Sequence, residues 1–128
     1  MILLDTSVLI EYFRKQRKDL TFFYNLAGQS ESMAISSITK YEILIGNKTG
    51  QDLFWNSLLE NLTLIPFGDK EVEEAIDIQK LLLKSNTLIG FADLAIGATA
   101  RAHNFKLATL NTRHFERIPQ LHLMDRPI

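Results

Sequence analysis

The chain contains no cysteine among its 128 residues, which excludes disulfides and thiolate metal sites and suits a reducing compartment. No apolar run approaches the roughly 18 residues that a membrane helix needs. The chain opens directly on a short apolar segment, without the basic stretch that precedes the apolar core of a signal peptide. We therefore expect a cytoplasmic protein that does not enter the membrane.

An excess of charge of one sign is also missing, because the formal net charge is only −1. This argues against a protein that coats nucleic acid through bulk positive charge, but not against an enzyme that handles nucleic acid locally. One short basic segment spans residues 14–18. We interpret it as solvated surface, with a patch that contacts phosphate or a partner as the alternative.

Hydrophobic residues make up 46% of the sequence, which is ordinary for a single folded domain, here residues 1–128. Strand-length apolar segments alternate with helical patterns, which predicts a three-layer α/β/α domain with a mostly parallel central sheet of about five strands. The predicted strands are residues 1–4, 33–36, 62–66, 106–110 and 121–124. The predicted helices are residues 7–14, 19–27, 38–45, 51–62, 69–84 and 91–104, with a turn or short helix at 111–115.

Asp5 ends the first apolar run and is followed by two hydroxyl residues, Thr6 and Ser7. A run of this kind is typical of a strand buried on both faces of a parallel sheet. Open α/β sheets bind their ligands at the carboxyl ends of such strands, where Asp5 is predicted to lie. The alternative is that these residues simply cap the helix that follows.

Two further acids also stand in apolar surroundings: Glu42 within an apolar helix, and Asp93 at the start of a helix of small residues. Glu42 could instead form a capping box with Thr39, although a helix that begins near Ser37 would place it in the second turn. Asp93 could simply favour the helix dipole. Isolated buried carboxylates cost several kcal/mol, and a hard divalent cation would neutralise all three acids. We therefore predict a metal site built from Asp5, Glu42 and Asp93.

The other polar candidates are weaker. Asn111 follows a predicted strand, where its side chain could cap the next short helix or orient a metal ligand. The histidines His103, His114 and His122 lack the H-x-x-x-H spacing of a zinc site. We assign structural or solvent roles to all three histidines.

Four segments of the chain match a known family: residues 3–10 (LLDTSVLI), 38–46 (ITKYEILIG), 89–100 (IGFADLAIGATA) and 107–121 (LATLNTRHFERIPQL). In this order, and over essentially the whole chain, the sequence resembles the PIN-domain ribonucleases of the VapC toxin type. The resemblance implies a PIN-like fold and a magnesium- or manganese-dependent endoribonuclease that cuts RNA phosphodiester bonds.

The resemblance also assigns residues. The family's acidic positions fall on Asp5, Glu42 and Asp93, and the hydroxyl beside the first acid falls on Thr6 or Ser7. The family's fourth acidic position falls near an asparagine here, within a Thr-x-Asn pattern that many members share, so one or two metals remain possible. The residues that reproduce this pattern are Thr109 and Asn111.

Partners follow from the same resemblance. VapC proteins are typically homodimers, and a cognate VapB antitoxin inhibits them by placing its tail over the acidic site. Three basic residues beside the acids could meet RNA phosphates: Lys40, Arg113 and Arg117. The apolar helix at residues 51–62 is a candidate dimer surface.

One alternative of a different class stays open, a catalytically weak PIN-like scaffold that binds RNA or protein, because position 111 is not an acid. Two other classes are excluded by the residues present. A haloacid-dehalogenase-type phosphatase needs a second aspartate where Ser7 stands, and dinucleotide binding needs a G-x-G-x-x-G segment after the first strand.

Overall fold

The computed structural model describes residues 1–29 and 31–126. A single sheet contains four strands in the order β3-β2-β1-β4, and every pair of neighbours is parallel. The strands are β1 (Ile2–Leu4), β2 (Met33–Ser36), β3 (Thr63–Ile65) and β4 (Lys106–Ala108). The predicted parallel α/β architecture is therefore confirmed.

Helices connect the strands, as parallel pairing requires. They are α1 (Thr6–Arg14), α2 (Phe22–Ala27), α3 (Ser37–Ile45), α4 (Asp52–Glu60), α5 (Asp69–Lys84), α6 (Phe91–Ala102) and α7 (Thr112–Phe115). The predicted helix at 19–27 is divided, because extended Thr21 separates a 3₁₀ turn from α2 and accepts a hydrogen bond from the Tyr24 N–H. Within the described ranges, no helix combines the length and apolar character that crossing a bilayer would take.

Successive residues of a strand point to opposite faces of the sheet, and helices cover both of these faces. Ile2 and Leu4 belong to one apolar cluster and Leu3 to the other. The first cluster includes Leu9, Phe22, Leu26 and Trp55 from α1, α2 and α4. The second includes Ala75, Ile78, Leu82, Leu94, Ile96 and Phe115 from α5, α6 and α7. This arrangement confirms the predicted three layers.

The prediction of a fifth strand at residues 121–124 is wrong. Only Leu123 pairs with the sheet, as an isolated parallel bridge to Leu107. Just before this segment, Gln120 adopts a left-handed φ of 62°, which no strand residue has. Just after it, the chain turns towards α1, where Arg126 pairs with Glu11. The extended segment is therefore too short to form a strand, although its apolar pattern resembles one.

Gly97 determines how closely α7 packs against α6. Gly97 lies on the buried face of α6, and a Cβ there would overlap the Cδ1 of Ile118 and lie 3.5 Å from the Phe115 ring. The absence of a side chain lets Phe115, on α7, pack closely against α6. This packing also brings His114, the preceding residue, towards the first turn of α6.

Candidate active site

Asp5 lies directly after β1, at the edge of the sheet where the strands end. Its N–H donates to the carbonyl of Ala108 at 2.9 Å, so the pairing of β1 with β4 extends to this residue. The hydroxyls of Ser7 and Thr109 both donate to the same carboxylate oxygen, Oδ2, at 2.7 Å. Asp5 is almost fully buried, at 2% exposure. Asp5 occupies the N-cap position of α1, but its side chain makes no capping bond there, so its buried carboxylate is fixed by Ser7 and Thr109 instead.

Main-chain groups fix the two hydroxyls in turn. The Leu110 N–H donates to Ser7 Oγ at 3.0 Å, and the Asn111 N–H donates to Thr109 Oγ1 at 2.9 Å. Each hydroxyl therefore accepts from the backbone and directs its own proton to Asp5. Because both side-chain donors reach Oδ2, the other oxygen, Oδ1, is left without a side-chain donor from the described residues.

The electrostatic state of Asp5 follows from this environment. Burial raises the pKa of the Asp5 carboxyl, and the negative charge of Asp93 raises it further. Hydrogen bonds from Ser7, Thr109 and the Thr6 N–H lower the pKa but do not cancel the rise. The Asp5 carboxylate is therefore costly to ionise at this position, and a cation would stabilise its charged form.

Glu42 lies in the second turn of α3, because the N-cap of that helix is Ser36, whose Oγ accepts from the Ile38 N–H at 3.0 Å. A capping box with Thr39 is thus absent. Instead, the hydroxyl of Thr6 donates to Glu42 Oε1 at 2.7 Å and lies 3.1 Å from Thr39 Oγ1. The residue that follows Asp5 thereby holds the second acid, which is partly exposed and not enclosed by apolar side chains.

Asp93 is the third residue of α6, and its carboxylate lies 2.8 Å from Nδ1 of His114 on α7. The sequence assigned His114 a structural or solvent role, whereas the structure places it against a candidate site residue. The His114 ring is half exposed. In the sequence, neither a periodic pattern nor a spacing to other histidines marks this residue as a ligand. The available signal was its position shortly after β4, at the same edge of the sheet as Asp5.

Asn111 contributes through its main chain. It occupies the N-cap position of α7, but its exposed side chain makes no capping hydrogen bond. Its N–H supports Thr109, and its carbonyl accepts from the His114 N–H at 3.1 Å. The side-chain amide of Asn111 therefore fixes neither Thr109 nor His114.

The three predicted RNA contacts are all exposed. Arg113 lies on α7 beside His114. Arg117 donates through Nη1 to the Leu88 carbonyl at 3.0 Å. Lys40 borders hollows with Leu44, on a part of α3 away from the hollow that Glu42 borders.

The three acids fit a divalent cation in some respects and not in others. Their oxygens are the hard donors that magnesium prefers, and no lysine or arginine pairs with them in residues 1–29 and 31–126. However, within the same ranges no three acidic or histidine side chains lie close enough to hold one ion. The donor type and the charge therefore fit, while a closed shell of three carboxylates is not formed.

Comparisons with known proteins agree with the fold. The PIN domain model matches residues 2–121. Ribonuclease VapC of Rickettsia bellii is 33% identical over 135 residues, covering 99% of this chain and 97% of that protein. Ribonuclease VapC1 of Methanocaldococcus jannaschii is 36% identical over 123 residues, covering 95% and 84%.

Among solved structures, the VapBC2 complex of Rickettsia felis bound to a promoter DNA fragment contains a chain that matches with a TM-score of 0.85. That chain is 29% identical, and the match covers 97% of this chain and 98% of that one. The fold is that of a PIN domain. The chain belongs to the PIN-domain family and, within it, to the VapC ribonucleases.

Proposed function

We propose that this protein is a magnesium-dependent endoribonuclease toxin of a VapBC-type toxin–antitoxin system, which hydrolyses RNA phosphodiester bonds. The full-length similarity to VapC ribonucleases supports the reaction class. The observation that carries the site is the buried Asp5 carboxylate, which has a raised pKa, the charge of Asp93 nearby and no basic partner among the described residues. Manganese would suit the same oxygen donors.

Each acid then has a role. Asp5 and Asp93 would hold the metal ion, directly or through water, and Glu42 would join them or position the attacking water. When bound, the ion would lower the pKa of that water and polarise the scissile phosphate. Ser7 and Thr109 keep the Asp5 carboxylate in one orientation, so little reorganisation is needed during the reaction.

The same site would meet RNA through exposed basic side chains. Arg113 lies on α7 directly before His114, which contacts Asp93, so we propose it as a contact to a phosphate near the acids. Lys40 and Arg117 are proposed as more distant phosphate contacts, and each contact of this kind would add salt dependence to RNA binding.

The decisive test compares RNA cleavage by the parent protein with that of Asp5→Asn and Asp93→Asn, in magnesium and in excess EDTA. Loss of a metal ligand should reduce cleavage more than about 100-fold. Asp69→Asn is the matched control, because Asp69 is an exposed acid on α5, outside this site. Cleavage at the parent rate by Asp5→Asn, or in EDTA, would contradict the proposal.

A second candidate function is a PIN-like scaffold that binds RNA or protein without cutting. Two observations favour it: the amide at Asn111, and the lack of three close metal-binding side chains within the described ranges. Calorimetric titration with manganese separates the two functions. No heat of binding at millimolar manganese would favour the scaffold, whereas saturable binding that Asp5→Asn abolishes would favour the nuclease.

We also propose a VapB-like antitoxin as the inhibitory partner, since a solved relative is a VapBC complex. Acids without lysine or arginine partners in the described part of the chain would attract a basic antitoxin tail. A cytoplasmic homodimer is proposed as well, with α4 as a candidate surface because Leu53 on this helix is 81% exposed. Light scattering during size-exclusion chromatography tests the dimer, and a monomer mass would contradict it.

A further inference from the structure

A hollow of about 220 Å³ opens beside Glu42. Its apolar lining comes from three helices: Ile10 and Phe13 of α1, Ile43 of α3 and Trp55 of α4. Two basic residues also border it, Arg14 at the end of α1 and Lys48 in the loop after α3. We call it the Glu42 hollow. It therefore combines an apolar floor, two cations and one of the candidate catalytic acids.

The two cations differ from their basic neighbours. Lys15 pairs with Glu11 at 3.3 Å, Arg17 pairs with Asp19 at 2.7 Å, and the ammonium of Lys18 donates to main-chain carbonyls at the end of α1. The side chains of Arg14 and Lys48 make no ion pair or hydrogen bond within residues 1–29 and 31–126. Their charges thus remain available to a ligand.

The charge balance of the Glu42 hollow favours an anion. Arg14 and Lys48 contribute two positive charges against the one carboxylate of Glu42, whose Oε1 already accepts from Thr6. A guanidinium and an ammonium together suit a phosphate, the first as a planar fork and the second as a point charge. The net positive hollow thus adjoins a region of net negative charge.

We propose that the Glu42 hollow binds one nucleotide of single-stranded RNA next to the bond that is cut, with Arg14 and Lys48 on its phosphate. The apolar floor would take the base or sugar, as unstacked bases of single strands commonly pack on apolar and aromatic side chains. The inference rests on the proposed function, since it is the adjacent acid site that brings RNA to this place. A hollow of about 220 Å³ would take a single base or sugar, and a base that enters it must be unpaired.

An acidic peptide could use the same two cations, but RNA is favoured by position. Glu42 belongs both to the hollow and to the acid group, so an RNA strand that reaches the acids would have Arg14 and Lys48 beside it. This continuity assigns Arg14 and Lys48 to positioning the substrate, and not to the chemical step.

The test measures RNA binding directly. Fluorescence anisotropy would follow a labelled single-stranded RNA oligonucleotide bound to full-length Asp5→Asn protein, which should not cut it. Adding Arg14→Gln or Lys48→Gln should raise Kd about two- to tenfold. Each change should also reduce the slope of log Kd against log salt concentration by about 0.7, the value for one lost contact to a single strand.

Lys70→Gln is the matched control, because it removes the same kind of exposed charge from α5, outside the hollow. Kd and the salt slope should stay at the parent values for this variant. In the active background, Arg14→Gln and Lys48→Gln should raise KM more than they lower kcat. Thermal melting would show that all variants remain folded.

The outcomes separate this inference from the proposed function. Unchanged Kd and slope in Arg14→Gln and Lys48→Gln would overturn the inference, even if the parent cuts RNA. Weakened RNA binding together with an inactive parent would support the hollow and overturn the nuclease. A parent that binds no RNA, or substitutions that weaken only the complex with a VapB-like antitoxin, would overturn the inference and assign the hollow to a protein partner.

Discussion

Replacing Asp5 with asparagine should abolish activity and at the same time stabilise the protein at neutral pH. The substitution removes a buried charge while keeping the side-chain hydrogen bonds from Ser7 and Thr109. Ser7 and Thr109 both donate to Oδ2, so an amide oxygen in that place accepts from both. The amide NH₂ then takes the position of Oδ1, where no side-chain donor of the described residues is displaced.

The expected gain is about 1 kcal/mol in the free energy of unfolding, which is typical of substitutions that remove a destabilising functional group. For a domain of this size that gain corresponds to a rise of about 3–5 °C in Tm. Asp69→Asn, which changes an exposed acid, should alter Tm by much less.

The pH dependence has a definite sign. Because burial raises the pKa of the Asp5 carboxyl in the folded protein, the folded state holds its proton more tightly than the unfolded state. The parent is therefore penalised at any pH at which Asp5 is ionised in the folded protein, and the penalty fades as the pH falls through the raised pKa. The stability difference between Asp5→Asn and the parent should shrink in acid.

Magnesium should reverse the order of stability. An ion that binds only the folded parent adds about 1.4 kcal/mol at ten times its Kd, and Asp5→Asn should gain little. Thermal or urea unfolding at neutral and acid pH, with and without magnesium, tests all of these expectations. A variant less stable than the parent at neutral pH without divalent ions would refute the reasoning, as would a difference that grows in acid.

Three further substitutions test the supports of the site. Thr109→Val removes a buried donor to Asp5 and should cost about 1–3 kcal/mol of unfolding free energy in urea; an unchanged midpoint would contradict this. Gly97→Ala should cost about 1–3 kcal/mol through overpacking, and the cost should fall in an Ile118→Val background; equal costs would show that the overlap is not its cause. His114→Ala should slow RNA cleavage about 10–100-fold with little change in Tm, and unaltered cleavage would remove His114 from the site.

Much of the fold was predictable because strong local patterns decided it. The continuous apolar run of β1 predicts a central parallel strand, and its residues do divide between two buried clusters. The fifth strand was wrongly predicted because an apolar segment does not show which route the chain takes before and after it. That route depends on the left-handed φ of Gln120 and on the pairing of Arg126 with Glu11, neither of which is visible in the local pattern.

The sequence anticipated some contacts of the candidate site, whereas the catalytic and metal-binding roles of its residues stay predictions. A carboxylate after a buried strand marked Asp5, and the family resemblance pointed to the hydroxyl residues that the structure places against Asp5 and Glu42. His114 was missed, because its position after β4 is only a weak signal and its approach to Asp93 results from tertiary packing of α7 on α6. The prediction that all three acids lie in apolar surroundings went too far, because Asp5 is the one acid of the three that is almost fully buried.

The contact between Thr109 and Asp5 joins residues 104 positions apart. Synthesis proceeds from the amino terminus, so a ribosome makes Asp5 early and adds β4 and Thr109 near the end. An unfinished chain that ends between Asp93 and Lys106 carries all three acids, but it lacks β4, which pairs beside Asp5, and the Thr109 hydroxyl. On the proposed function, a fragment released at that stage would lack the Thr109 and β4 groups that help to fix the Asp5 carboxylate, so we expect it to cut RNA poorly even though it carries all three acids.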